Sequence, residues 1–145
     1  MPDSVAVRQG GPEDLERVAE IQALSPEASG WEVRNYLDHD FRVAVCGGIV
    51  AAFSVARRVS SDESELLNLA VDPGHRRKGL GTALLQDLRQ RHPGAVFLEV
   101  RESNSAARML YKSFGFRDLG RRPGYYQDPP EAAVVMGIRS CYCHR

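Results

Sequence analysis

The segment Glu65–Thr82 constrains the fold of this chain more than any other, because it joins an apolar run to an amphipathic helix through a basic turn. Residues 66–71 read Leu-Leu-Asn-Leu-Ala-Val, and Asp-Pro-Gly follows at 72–74. Residues 76–81 read Arg-Arg-Lys-Gly-Leu-Gly and lead directly into leucines at helical spacing. The pattern predicts a strand, then a cationic glycine turn, then a helix that begins at the turn.

Such a turn is suited to a phosphorylated ligand. The first backbone N–H groups of a helix have no intrahelical acceptors, and the helix dipole adds partial positive charge at that end. Gly79 and Gly81 let the backbone approach a ligand closely, and positive charge for a pyrophosphate comes from Arg76, Arg77 and Lys78. The alternative is a basic helix start whose glycines serve only packing.

Two common nucleotide-binding motifs do not occur in the sequence. There is no G-x-x-x-x-G-K-[ST] segment, and no third glycine completes G-x-G-x-x-G after the strand. The turn instead fits Arg-x-x-Gly-x-Gly, from Arg76 to Gly81. At this point the chain resembles the GNAT acyltransferases, whose acetyl-CoA pyrophosphate lies on this turn.

The resemblance extends to three more segments. Residues 98–104 read Leu-Glu-Val-Arg-Glu-Ser-Asn, residues 110–116 read Leu-Tyr-Lys-Ser-Phe-Gly-Phe, and residues 120–126 read Gly-Arg-Arg-Pro-Gly-Tyr-Tyr. In this order and spacing they resemble the RimI-type branch of the GNAT enzymes, which acetylate the N-terminal alanine of a ribosomal protein. The match is close over residues 63–126 and looser from there to Met136. Over the first sixty residues only the order of the predicted elements matches.

Length and composition fit one globular domain. The 145 residues are 43% hydrophobic and 26% charged, with zero formal net charge. We therefore expect a single domain over residues 1–145, with residues 139–145 as a tail, that binds no nucleic acid directly. No apolar run approaches the roughly 20 residues of a membrane span, no secretory signal opens the chain, and three cysteines make no disulfide framework. We expect a cytoplasmic protein, monomeric or weakly dimeric, with no membrane partner.

Periodicity and turn signals predict the element order β-α-α-β-β-β-α-β-α-β-β. Gly47-Gly48 predicts a hairpin, and Ser103 is expected to cap the last helix. The predicted strands cover 4–8, 41–46, 49–59, 66–71, 95–101, 116–120 and 132–138, and the predicted helices cover about 12–22, 31–37, 82–92 and 103–114. The order indicates an α+β (mixed α/β) fold with a mixed sheet of about seven strands and about four helices. The GNAT fold has this order; in that family the strands matching 66–71 and 95–101 are parallel, and acetyl-CoA lies between them.

Glu99 is the candidate base, because it interrupts the apolar strand Val96–Val100. A carboxylate at such a position is costly to bury unpaired, so it suggests a side chain facing a cleft, where partial burial would raise its pKa. In RimI-type enzymes the matching glutamate accepts the proton of the amine through water. The alternative is a glutamate that pairs with Arg101 or with a neighbouring strand.

Tyr111 is the candidate acid, because a phenol can protonate a departing CoA thiolate. Helical spacing places Asn104, Arg108 and Tyr111 on one face, and Ala106, Leu110 and Phe114 on an apolar stripe. The resemblance implies that Tyr111 is the proton donor and that Asn104 contacts CoA. A tyrosine that belongs to the core and an asparagine that only starts the helix are the alternatives.

The resemblance also implies which other residues hold acetyl-CoA, and it implies no metal. In the family a bulge at the end of the first cleft strand frees backbone groups for the pantetheine arm, and one N–H polarises the thioester carbonyl. Acetyl-CoA is therefore expected to contact Leu69, Ala70, Val71, Arg76, Arg77, Lys78, Gly79, Leu80, Gly81, Thr82 and Asn104.

The acceptor is expected to enter past residues 24–32 and 121–131, so we assign peptide binding to Trp31, Tyr125 and Tyr126. RimI-type chains usually carry Pro-Trp before the second helix and an acidic pair before the last strand. This chain has Ser-Gly-Trp at 29–31 and Glu-Ala at 131–132. Three functions follow: an N-terminal acetyltransferase for a ribosomal protein, a GNAT enzyme for a small amine or a lysine side chain, and a non-catalytic acyl-CoA-binding module.

Weaker candidates lie outside these motifs. The run Cys-Tyr-Cys-His at 141–144 is an incomplete metal set in a tail, and Cys46 is expected to be a buried strand residue. His75 could touch a phosphate or be a solvated loop residue. Asp62, Glu63 and Glu65 form an acidic patch that could attract a basic peptide or be a solvated turn.

Overall fold

The computed structural model describes residues 4–25, 31–127 and 129–139. These residues form seven strands and three α-helices, with short 3₁₀-helices at Pro12–Asp14, Val33–Asp38 and Pro73–His75. The strands are β1 Val5–Gln9, β2 Asp40–Cys46, β3 Ile49–Ser60, β4 Glu63–Val71, β5 Ala95–Arg101, β6 Arg117–Gln127 and β7 Pro130–Ile138; the helices are α1 Leu15–Ala23, α2 Leu80–Arg91 and α3 Ser105–Phe114. Two compact units divide the chain: residues up to Arg57 with Leu66–Arg91, and Arg58–Glu65 with residues from His92 onward.

The first unit contains a sheet in which β1 pairs antiparallel with β2, and β2 with β3. The hairpin between β2 and β3 turns at Gly47 and Gly48, whose φ angles are 60° and 81°. Residues that carry a side chain rarely adopt a positive φ, so two adjacent glycines permit this tight turn. The predicted hairpin is confirmed.

Alternation along the strands of the first unit produces two apolar clusters, because successive side chains point to opposite faces. One cluster joins α1 and the 3₁₀-helix to the sheet and contains Val18, Ile21, Tyr36, Phe41, Val43, Phe53, Val55 and Ala70. The other joins α2 to the sheet and contains Ala44, Cys46, Ala51, Ala52, Leu80 and Leu84. Cys46 is buried, as expected from the sequence. Leu80, the first residue of α2, is thereby fixed at the end of the basic turn.

The second unit contains an antiparallel sheet in the order β5-β7-β6, with Glu99 opposite Val135. The prediction of a loop over residues 121–131 was wrong, because β6 continues to Gln127. Its register shifts between Arg122 and Tyr126, where Gly124 has a φ of 64°. Pro and Gly signalled a loop, whereas the chain keeps its pairing with β7 by bulging at these residues.

Three details of the predicted helices differ in the structure. Asn104, not Ser103, caps α3: its Oδ1 accepts a hydrogen bond of 3.2 Å from the backbone N–H of Ala107. Ala106 is exposed, whereas Tyr111 is the buried residue of this helix. The second predicted helix is a 3₁₀-helix, Val33–Asp38. No helix among the described residues has the length and apolar character needed to cross a membrane.

Candidate active site

The basic turn of the first unit has the geometry of an anion cradle. Arg76, Arg77, Lys78 and Gly79 are exposed, and the next residue, Leu80, is buried as the start of α2. Arg77 and Gly79 have φ angles of 66° and 79°. A Cβ added to Gly79 would meet no atom within 4 Å, so the backbone angle rather than crowding calls for glycine. The turn is open to solvent at a helix N-terminus, as a pyrophosphate site requires.

Asp72 anchors the segment that leads into this turn. Its Oδ1 accepts from the backbone N–H of Gly74 at 3.0 Å, and its Oδ2 accepts from Arg17 Nη2 at 2.5 Å. Arg17 also donates from Nε to the carbonyl of Val50 at 2.8 Å. The Gly74 N–H, followed by the Arg17 guanidinium, lowers the pKa of Asp72. His75 Nδ1 lies 3.2 Å from Asp72 Oδ2, so this histidine is a part of the anchor as well as a loop residue.

A buried polar network lies at β4, where the family resemblance implies a bulge. Asn68 is 7% exposed, and its amide donates to Tyr36 Oη at 3.1 Å and to Gln22 Oε1 at 3.3 Å. Its own Oδ1 accepts from the backbone N–H of Leu69 at 3.0 Å. Tyr36 Oη also donates to Gln22 Oε1. A local side-chain bond to a strand N–H competes with regular ladder pairing, but contacts of Leu69, Ala70 and Val71 with a ligand stay a prediction.

Glu99 lies on β5 in the second unit and is 20% exposed in its side chain. Its Oε2 is 2.8 Å from Nη1 of Arg122, which lies on β6 and is 59% exposed. Glu99 is therefore ion-paired, as the alternative interpretation expected, but its partner is Arg122 rather than Arg101. Arg101 pairs with Glu131 Oε1 at 3.3 Å instead.

Three tyrosines interact with this carboxylate or with each other. A side-chain hydrogen bond between Tyr125 and Glu99 is the main cause that raises the pKa of Tyr125; burial and the charge of Glu99 add to it. Burial, followed by Tyr125 and Glu99, raises the pKa of Tyr126 to about 12. Burial, followed by Tyr126, raises the pKa of Tyr111. Four of the predicted site residues are thus close enough to influence one another.

Tyr111 is buried, and its hydroxyl is available to hydrogen-bond a ligand as far as the described residues are concerned. The side chain is 5% exposed, and its ring packs against Phe116 with centroids 5.6 Å apart. Its hydroxyl makes no hydrogen bond to any residue that the structure describes. A buried phenol of this kind keeps its proton at neutral pH, because burial disfavours the phenolate.

Charged groups hold Tyr126 in place. The Arg101 guanidinium carbon lies 4.3 Å from the centroid of the Tyr126 ring. Arg101 donates to the carbonyl of Pro129 at 3.0 Å, and Glu131 accepts 2.5 Å from the backbone N–H of Ser103. Glu131, which lies at the start of the last strand, therefore connects Arg101 to the segment that leads into α3.

The remaining predicted residues occupy different positions. Trp31 lies in the first unit, is 43% exposed, and accepts a hydrogen bond at its carbonyl from Gln22 Nε2 at 2.8 Å. Asn104 caps α3 with Oδ1, which leaves its side-chain amide N–H groups as donors for a ligand. Glu65, from the acidic patch, raises the pKa of Tyr125 after the stronger effects described above. The cysteines of the tail, and residues 26–30 of the predicted acceptor loop, lie outside the described residues.

Sequence reasoning missed Arg122 and Asn68 as site residues. Asn68 had a signal, a polar residue within the apolar run Leu66–Val71. Arg122 had none, because its contact with Glu99 depends on how β6 pairs with β7.

The chain belongs to the acetyltransferase (GNAT) family, because the model of that family matches residues 13–116. The [ribosomal protein bS18]-alanine N-acetyltransferase of Escherichia coli K12 is 43% identical over 97 residues, which cover 63% of this chain and 65% of that protein. The chain therefore aligns with less than two thirds of that relative's length. N-alpha-acetyltransferase RimI of Mycobacterium tuberculosis is 33% identical over 134 residues, or 85% of each chain.

Solved structures agree with this assignment. The crystal structure of the ribosomal-protein-S18-alanine N-acetyltransferase from E. coli has a TM-score of 0.76, with 31% identity over 93% of both chains. Ard1 from Thermoplasma volcanium has a TM-score of 0.83, with 30% identity over 94% of this chain and 97% of that one. The predicted GNAT fold, with its mixed sheet, and the resemblance to RimI-type proteins are confirmed.

Proposed function

We propose that this protein transfers the acetyl group of acetyl-CoA to the N-terminal α-amine of a protein. The observation that supports this most strongly is the grouping of Glu99 with Tyr111, Tyr125 and Tyr126 in the second unit. The group contains a carboxylate for the proton of the amine and a buried phenol for the sulfur. Two further tyrosines are available to a peptide backbone.

Acetyl-CoA is the proposed cosubstrate, and the basic turn supports this choice. Exposed cations at residues 76–78, a left-handed glycine at 79 and the N-terminus of α2 fit a pyrophosphate, which carries negative charge on several oxygens. We assign the pyrophosphate to the turn Arg76–Thr82, the pantetheine arm to Leu69, Ala70 and Val71, and a CoA contact to Asn104. No metal is required for this chemistry.

The reaction begins with a proton transfer. A free α-amine has a pKa near about 8, so most of it is ammonium at pH 7 and cannot attack. Glu99 takes one proton from the ammonium, directly or through one water. The nitrogen lone pair then attacks the thioester carbonyl carbon, and negative charge develops on the carbonyl oxygen. A backbone N–H at the end of β4 is the proposed donor to that oxygen.

The reaction ends at the sulfur. The carbon–sulfur bond breaks, the sulfur leaves with the electron pair, and Tyr111 donates its proton to it. The second proton of the nitrogen passes to solvent, and water restores the Tyr111 phenol, so the products are the acetylated amine, the CoA thiol and one proton. Because burial raises the pKa of Tyr111, the phenol is a weaker acid than the sequence argument assumed. Its role is therefore to hydrogen-bond the sulfur as charge develops and to transfer the proton late.

The N-terminal alanine of a small-subunit ribosomal protein is the acceptor we propose. Support comes from the E. coli and M. tuberculosis relatives, whose names describe a bS18-alanine N-acetyltransferase and an N-alpha-acetyltransferase. Such an acceptor implies a cytoplasmic place of action and a transient complex with the acceptor chain. Trp31, Tyr125 and Tyr126 are the proposed peptide contacts.

A GNAT enzyme for a small amine or a lysine side chain is the second candidate. One observation favours it: Glu131, the acidic residue that remains at the start of β7, is engaged with Arg101 and Ser103. A carboxylate engaged in this way is less available to an acceptor peptide. The acceptor therefore has to be determined directly.

The experiment is a panel of acceptors incubated with acetyl-CoA, read by product mass and by release of free thiol. The panel contains peptides that begin with Ala, Ser, Met-Asp or Met-Lys, an N-terminally blocked lysine peptide and simple polyamines. Acetylation of the α-amine of the Ala or Ser peptide would support the proposal. Acetylation only of lysine or polyamine would move the function to the second candidate, and no product would favour a binding module.

Variants then test the assigned roles. We expect Glu99→Gln to lower kcat by about 10²- to 10⁴-fold, the usual contribution of a general base. Tyr111→Phe should lower kcat while acetyl-CoA binding is retained. Glu63→Gln, an exposed carboxylate at the start of β4, is the charge-matched control and should keep wild-type turnover. Unchanged turnover in Glu99→Gln would remove the base assignment without affecting the fold.

A further inference from the structure

Glu99, the proposed base, already forms an ion pair with an arginine side chain. Arg122 Nη1 lies 2.8 Å from Glu99 Oε2, which is the distance of a charge-assisted hydrogen bond. The carbon of the same guanidinium lies 5.3 Å from the ring centroid of Tyr125, and the interaction of Tyr125 with Glu99 is the main cause of that tyrosine's raised pKa. One carboxylate therefore holds both a guanidinium and a phenol.

A protein α-ammonium has the same chemical requirements as this guanidinium. It carries one positive charge and donates N–H groups, so a carboxylate flanked by a tyrosine is a suitable partner for it. If Glu99 takes the proton directly, the ammonium must come within hydrogen-bond reach of the same carboxylate, whose Oε2 Arg122 now contacts. The two cations therefore compete for one carboxylate.

We propose that Arg122 is a placeholder that occupies the subsite of the acceptor's α-ammonium until the acceptor displaces it. This inference rests on the proposed function, because it takes Glu99 as the base. Two features allow the displacement. Arg122 is 59% exposed, so its guanidinium can move into solvent, and it precedes the bulge at Pro123 and Gly124 rather than a regular stretch of strand.

The adjacent arginine shows that this pairing is specific to Arg122. Arg121 is also on β6 and is 55% exposed, but it contacts Glu102 at 2.7 and 3.0 Å. The two arginines therefore have the same charge and nearly the same exposure, with different carboxylate partners. Arg121→Gln is a matched control for Arg122→Gln.

The test measures binding and so does not depend on turnover. The full chain, saturated with CoA, is titrated by calorimetry with an alanine-initiated peptide and with its N-acetylated form. An exposed ion pair contributes about 0.2–1 kcal/mol, so Arg122→Gln should bind the free-amine peptide about 1.4- to fivefold more tightly. Arg121→Gln and Arg122→Lys should match the wild type, and the acetylated peptide should bind all four proteins equally.

Kinetics separates a placeholder from a residue that orients the base. A placeholder predicts a lower KM for the peptide and an unchanged kcat in Arg122→Gln. A lower kcat with unchanged KM would mean that Arg122 orients Glu99, and it would overturn the proposal. Weaker or equal binding of the free-amine peptide, tighter binding of the acetylated peptide, or no binding of either would also overturn it.

The outcomes also separate this inference from the proposed function. Turnover of the alanine peptide without tighter binding in Arg122→Gln would refute only the placeholder. Tighter binding in that variant, with no turnover by the wild type on any acceptor, would support the amine subsite and refute the proposed transferase.

Discussion

Arg17 provides the sharpest test of how the first unit supports the basic turn. Its guanidinium joins α1 to the segment before the turn, with Nη2 2.5 Å from Asp72 Oδ2 and Nε 2.8 Å from the carbonyl of Val50. Glutamine at position 17 keeps a polar side chain but removes the charge and cannot make both contacts. We expect the substitution to loosen Asp72, and with it the path of the chain into Arg76–Gly81.

The magnitude follows from exposure and from the groups left behind. The Arg17 and Asp72 side chains are 28% and 14% exposed, so water can replace only part of the lost interaction. A hydrogen bond to a charged group contributes about 1.5–3 kcal/mol, and Asp72 keeps its bond from the Gly74 N–H. We expect a loss of about 2 kcal/mol in the free energy of unfolding, or about 4–8 °C in Tm for a chain of this size.

The assay compares Arg17→Gln with Arg34→Gln, which makes the same change of charge at a site with 79% exposure and a 3.5 Å contact to Glu32. The control should lose less than about 0.5 kcal/mol. Thermal denaturation reports stability, and steady-state kinetics should show a several-fold rise in the KM for acetyl-CoA in Arg17→Gln alone. A lower Tm with an unchanged KM would refute the argument that Asp72 positions the turn, and equal Tm values for the two variants would refute the energetic argument.

Two further predictions concern stability. A Cβ on Gly94 would lie 2.2 Å from the carbonyl oxygen of Asp62, so Gly94→Ala should cost about 1–3 kcal/mol by urea denaturation, whereas Gly120→Ala, with no atom within 4 Å, should be nearly neutral; equal losses would refute the packing argument. The Arg8 side chain lowers the pKa of Asp14 below its ordinary value of 3.8, so the stabilisation is complete above about that pH and is lost as pH falls through the lowered pKa. The urea midpoint of Asp14→Asn should therefore lie below that of the wild type at pH 7 and approach it at lower pH, and a gap that persists in acid would contradict this linkage.

Local signals in the sequence predicted most of the elements. Gly47-Gly48 identified the hairpin because adjacent residues at positive φ have few alternatives to glycine. The apolar run Val96–Val100 identified β5, and Gly115 marked the end of α3. At β6 the prediction failed because a long-range contact overrides a local rule: Pro123 and Gly124 indicated a loop, but pairing with β7 keeps that segment in a strand.

The candidate site, too, was determined partly by the sequence and partly by the tertiary structure. Residue type and order along the chain determined that a carboxylate, a phenol and a cationic glycine turn are available, because these motifs consist of neighbouring residues whose chemistry does not depend on the fold. Only the tertiary structure decided their surroundings: Arg122 pairs with Glu99, the same carboxylate raises the pKa of Tyr125, and Tyr111 is buried. Ion pairs and desolvation depend on distances through space, and those distances are set by strand register and packing rather than by position in the sequence.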